Sequence, residues 1–81
     1  MSEISRKWLE AAKILGPDPY QKVICPECNI GHLMVKDELI ESWNKIDRYL
    51  ICDNCGKWNV MTMAIPENYP IDSPIDTSKK G

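Results

Sequence analysis

The sequence predicts a small metal-stabilised α+β domain, an N-terminal helix packed on a three- to four-stranded antiparallel sheet. Three observations lead there. The chain has 81 residues, a length at which a core alone leaves little stability margin and a disulfide or metal usually supplements it. Its four cysteines form two pairs, each with two residues between partners. Around those pairs lie short β-branched and aromatic runs bounded by turn residues, preceded by one amphipathic segment.

The amphipathic segment comes first, in a unit spanning residues 1–19. Over residues 2–15, Ile4, Trp8, Ala11, Ala12 and Leu15 recur at spacings of three and four, which places them on one helical face. Ser2 suits an N-cap, Gly16 suits a stop, and Pro17 and Pro19 prevent continuation. That face is expected to pack on the rest of the domain. The alternative is a partner-binding or dimerisation face, with Trp8 as its candidate contact.

Residues 20–65 form the second unit. Tyr20–Ile24, Leu33–Asp37, Ile46–Ile51 and Trp58–Met63 are its strand candidates, and a polar connection joins Asp37 to Lys45. In residues 66–81, Pro66, Pro70 and Pro74 recur at every fourth position. Proline supplies no ladder donor and holds φ fixed, so neither a helix nor a central strand persists there. A flexible tail is expected, with Ile71 and Ile75 leaving room for an extended path along a partner or along the domain itself.

The chemistry resides in Cys25-Pro26-Glu27-Cys28, then 23 residues, then Cys52-Asp53-Asn54-Cys55-Gly56. Two residues between cysteines let one tight turn aim both thiolates at the same ion. Two such turns complete the tetrahedral shell that zinc accepts, with Zn–S bonds of about 2.3 Å. The intervening length accommodates two strands and a connection, so a hairpin can carry the second turn beside the first. Pro26 presets φ in the first turn. Gly56 after the second pair, and Asn29 after the first, tolerate the positive φ that turns backbone amides toward sulfur. The expected site is one zinc ion on Cys25, Cys28, Cys52 and Cys55. His32, four positions beyond Cys28, is the rival ligand, and Met34, Met61 and Met63 read as core filler.

Through CPEC, CDNCG and the strands around them, residues 20–64 resemble the zinc-ribbon superfamily. The resemblance implies an antiparallel sheet with two cysteine turns gripping one zinc. It leaves the role open among transcription, ribosomal and enzyme-appended modules. There is a looser similarity to the zinc ribbon of transcript-cleavage elongation factors, in which an Asp-Glu pair at the hairpin tip supports phosphodiester hydrolysis. Here Asp37-Glu38 sits at the end of the first hairpin strand, and Trp43 occupies the middle of the connection. Rubredoxins also hold one metal with two such turns, so an iron electron carrier is a further alternative.

Composition narrows the classes. Ten basic residues stand against twelve acidic ones, for a formal charge of −2. That balance does not favour nucleic acid, whose binders gain most affinity by neutralising phosphates. Lys22, Lys36, Lys45, Arg48 and Lys57, with Tyr49, Trp43 and Trp58 for stacking, keep nucleic-acid or transcription-machinery binding as the runner-up. A closed four-thiolate shell leaves no open coordination position, and His32 is the only histidine, so no catalytic residues are assigned. The segment around Glu3 and Glu10 lacks an apolar run of signal type, and no stretch approaches the roughly 20 apolar residues of a membrane span. Paired cysteines without a leader read as a cytoplasmic metal site. The expected role is a protein-interaction adaptor, with Trp43, Leu39, Ile40 and Trp8 as candidate partner contacts.

Overall fold

The computed structural model describes residues 3–77. Helix α1 spans Glu3–Leu15, and three strands follow: β1 at Leu33–Ile40, β2 at Lys45–Cys52 and β3 at Trp58–Ala64. The strands form one antiparallel meander in the order β1-β2-β3. No helix among the described residues is long and apolar enough to cross a membrane. The Ser2 N-cap lies outside the described residues.

The α1 stripe does what its spacing implies except at Ile4, which is exposed in the first turn. Trp8, Ala11 and Leu15 are buried and meet Leu33, Val35 and Leu50 on one face of the sheet, together with Cys25 and Cys52. Gly16 ends the helix, its amide donating to the Ala12 carbonyl at 2.8 Å. Trp8 is only 8% exposed, so it is a core residue and not the partner contact expected of it. Its indole Nε1 donates to Glu27 Oε1 at 3.1 Å, tying the helix to the first cysteine turn. A buried Trp is stable where its N–H finds such an acceptor.

Three other expectations are corrected. Tyr20–Ile24 is not a strand. Asp18 holds a turn by accepting from the Tyr20 amide and Gln21 Nε2, and only Ile24 pairs, in an isolated bridge with His32. Next, the polar connection begins as strand: β1 runs on to Ile40, which leaves a short 3-10 turn at Glu41–Trp43 closed by Asn44 at φ 53. Alternation explains this, because Glu38 lies on the outer face while Asp37 points inward to a charged partner.

The third correction concerns the segment read as a flexible tail. Up to residue 77 it packs on the domain. Tyr69 is buried, and Ile75–Thr77 runs antiparallel along the outer edge of β1, bridging Asp76 to Lys36. The outward amides of Leu33, Val35 and Asp37 are paired with the Val23 carbonyl, the Thr77 Oγ1 and the Ile75 carbonyl at 2.7–2.8 Å. Proline bars a central strand but not this short edge contact, which draws its donor from Thr77.

Candidate metal centre

Two turns, delivered by different parts of the fold, build the site. Cys25 and Cys28 lie in the connection between α1 and β1, Cys52 ends β2, and Cys55 sits in the turn before β3. The β1–β2 pairing sets Leu33 opposite Cys52, which brings the second turn beside the first. All four Sγ atoms fall within 4.8 Å of one another. Cys25 and Cys55 approach to 3.8 Å, and Cys28 and Cys52 to 3.6 Å. A tetrahedron with metal–sulfur bonds of about 2.3 Å has sulfur–sulfur edges of about 3.8 Å. A disulfide would need about 2.05 Å, and all four cysteines are free.

The two turns share a backbone plan. The Cys25 amide donates to the Gly31 carbonyl and the Cys52 amide to the Lys57 carbonyl, both at 2.8 Å. Asn29 at φ 59 and Gly56 at φ 79 take the left-handed conformation expected of them. Amides then point at sulfur. Glu27 N donates to Cys25 Sγ, Gly31 N to Cys28 Sγ, and Asn54 N and Cys55 N to Cys52 Sγ, at 3.3–3.5 Å. These donors stabilise thiolate over thiol.

The electrostatics follow from that arrangement. Burial pushes the Cys25 thiol up to about 12. Amide donors from Gly31 and Ile30 pull Cys28 down to about 6. Cys52 is lowered: burial opposes ionisation there, but the amides of Cys55 and Asn54 outweigh it. Cys55 is raised, because burial and the thiols of Cys52 and Cys28 overcome the Lys57 amide. Four crowded sulfurs cannot all ionise unaided, and a cation at their centre relieves the mutual repulsion. The donor set therefore fits a soft or borderline metal ion, bound with loss of the remaining thiol protons.

Several supporting residues carried no signal that the sequence reading used. Asp53 Oδ1 accepts from the His32 amide at 2.9 Å while the Asp53 amide donates to the His32 carbonyl, clasping the two turns together. Asn54 Nδ2 reaches Cys28 Sγ across the site at 3.7 Å. Gly31 is required by space. A Cβ there would lie 2.6–2.7 Å from Asn54 Cβ, Asp53 Oδ1 and Cys52 Sγ.

The remaining candidates separate. His32 is exposed and outside the sulfur cluster, serving through its backbone. Met34, Met61 and Met63 are half-buried, with Met61 packed against the core. Trp43 is 70% exposed, and Leu39 and Ile40 are half-buried nearby in the chain. Arg48, counted among the cations for nucleic acid, is 2% exposed and engaged by Asp37. Asp37 is buried in that pair, whereas its neighbour Glu38 is exposed. Tyr49 and Trp58 do lie together on the outer sheet face, ring centroids 5.7 Å apart. No protein-family model, curated protein or solved structure matches the chain.

Proposed function

We propose that this chain is a zinc-ribbon module in which one zinc ion plays a structural part, and that the folded domain serves as a protein-interaction adaptor. The sulfur cluster carries the reading. Four thiol groups within 4.8 Å of one another, three of them accepting at least one backbone amide, suit a closed four-sulfur shell, which has no ligand position for water or substrate. Zinc suits such a shell without imposing redox chemistry, and iron is the competing occupant. The adaptor role rests on the surface. Trp43 on the hairpin tip and Trp58 on the outer sheet face are exposed, and exposed Trp is a frequent interface anchor.

Native mass spectrometry of the purified full chain, with elemental analysis of the same sample, tests the metal. The expected result is one zinc per chain, with four thiols that resist alkylation until a chelator is added. Iron with visible absorbance would replace the adaptor by an electron carrier. A metal-free chain with two disulfides would overturn the reading. Replacing Trp43 by Ser is expected to abolish capture of the protein partner while leaving zinc content unchanged.

A further inference from the structure

The two edges of the sheet are treated differently. The outer edge of β1 is covered by the chain's own residues 75–77, as described above. On the other side, β3 pairs with β2 alone, and among the described residues no backbone hydrogen bond reaches its outer edge. The ladder phase identifies the open groups. Because the Cys52 amide bonds the Lys57 carbonyl, Asn59, Met61 and Met63 direct their backbone groups to Leu50, Arg48 and Ile46. Trp58, Val60, Thr62 and Ala64 direct theirs outward.

Proteins blunt such an edge with charge, proline, a bulge or a covering segment. The strand WNVMTMA has neither charge nor proline, and its pairing to β2 runs in unbroken register from Trp58 to Ala64. Alongside it, between Leu9 and Ala12 of α1 and Asn59 and Met61 of β3, lies a groove of about 330 Å³. Leu9 and Val60, at its rim, are exposed.

We infer that this edge pairs with the β3 edge of a second copy, antiparallel and about a two-fold axis at Met61, joining two three-stranded sheets into one of six strands. Three features select that occupant. An uncharged strand meets its own image without like-charge repulsion. The axis at Met61 sets Trp58 against the second copy's Ala64, and Val60 against the second copy's Thr62. Those are the residues whose backbone groups point outward, so the ladder phase of both strands is met at once, and the largest side chain faces the smallest. Beneath the edge, the second copy's Met63, set opposite Asn59, comes to the groove beside Leu9, where an unbranched methionine adapts to its shape. At each end, Lys57 comes to the end of the second copy's strand, where Glu67 is the first charged residue.

The test uses the full chain with its metal, in native mass spectrometry and light scattering after size exclusion. The expected mass is twice the 9.3 kDa of one chain, with the Val60 and Thr62 amides slow to exchange with deuterium. Two variants disturb the edge, the second also giving up the exposed hydrogen bond from Thr62 Oγ1 to Asp47 Oδ1. Val60→Pro removes an outward amide without breaking the β2 ladder. Thr62→Lys adds an edge charge beside Asp47, its cross-strand neighbour. Both are expected to halve the mass and expose the remaining outward amides while metal content and aromatic circular dichroism persist. A wild-type monomer with fast-exchanging Val60 and Thr62 amides would overturn the inference. So would a dimer of undiminished mass in both variants.

Discussion

Arg48 and Asp37 meet in the interior through two parallel hydrogen bonds of 2.8 Å, Nε to Oδ1 and Nη2 to Oδ2. Neither charge has water to fall back on. The remaining capacity of both is used by other parts of the chain. Arg48 Nη1 donates to the Leu15 and Gly16 carbonyls at the end of α1. The Tyr69 hydroxyl donates to Asp37 Oδ2 and accepts from the Ile75 amide. One buried pair thus joins helix, sheet and C-terminal segment, and no buried polar side-chain atom among the described residues lacks a partner.

Removing one member should be severe. Asp37→Ala leaves the guanidinium buried and unpaired, which is expected to lower unfolding free energy by about 3–5 kcal/mol. The double variant Asp37→Leu with Arg48→Met, apolar at both positions, is expected to lose less than Asp37→Ala does. Urea unfolding at fixed zinc concentration reads both. A double variant as unstable as the sum of its single changes would show that the pair contributes no coupling.

Alkaline pH should loosen the C-terminal segment through Tyr69. Burial raises its pKa above the ordinary value of 10, and its hydrogen bond to Asp37 adds to the shift. The folded state therefore holds the phenolic proton more tightly than the unfolded state. This contribution to stability is complete below about pH 10 and is lost as pH rises from there through the folded value. Tyr69→Phe should be less stable at neutral pH by about 1.5–3 kcal/mol, having lost a hydrogen bond to a charged group. It should also lack the Tyr69 part of the alkaline decline. Parallel stability curves for the two proteins above pH 10 would refute the assignment.

The sulfur cluster should be inseparable from the fold. Structural zinc in small domains contributes roughly 10–16 kcal/mol of apparent binding energy, against a net stability of about 5–15 kcal/mol for native domains. Cys52→Ser, or excess chelator, is expected to collapse amide dispersion in the NMR spectrum. A metal-free Cys52→Ser protein with native dispersion would show that the core suffices.

Gly31 should act on metal affinity although it contributes no ligand. Its Cβ in Gly31→Ala would press on Cys52 Sγ and on the Asp53 and Asn54 side chains. A loss of about 10- to 100-fold in zinc affinity is expected, the range typical of outer-shell changes, measured by competition with a chromophoric chelator. Asp53→Ala, which opens the clasp on His32, should fall in the same range.

Much of this site was legible because it depends on local geometry. A two-residue spacer brings two sulfurs together within one turn, and Asn29 and Gly56 accept positive φ whatever surrounds them. The α1 stripe was legible for the same reason, since Trp8, Ala11 and Leu15 share a face by helical period alone. The strand ends were not. Whether Asp37 continues a strand or opens a loop depends on Arg48, eleven positions away along the chain. Reading Arg48 as a surface cation failed because nothing nearby in sequence announces its partners.

By itself, the sequence determined the four clustered cysteines, the left-handed residues that shape their turns, the helical stripe and the three strands of the sheet. Each follows from spacing or from an intrinsic φ preference, and both act within a few residues. Only the tertiary structure decided the rest: that Trp8 faces inward to Glu27, that Asp37 and Arg48 neutralise each other in the core, that residues 75–77 cover one edge of the sheet, and that no backbone bond from the described residues reaches the outer edge of β3. Those outcomes turn on pairing partners distant in the chain, whose burial and hydrogen bonding exist only once the sheet has assembled.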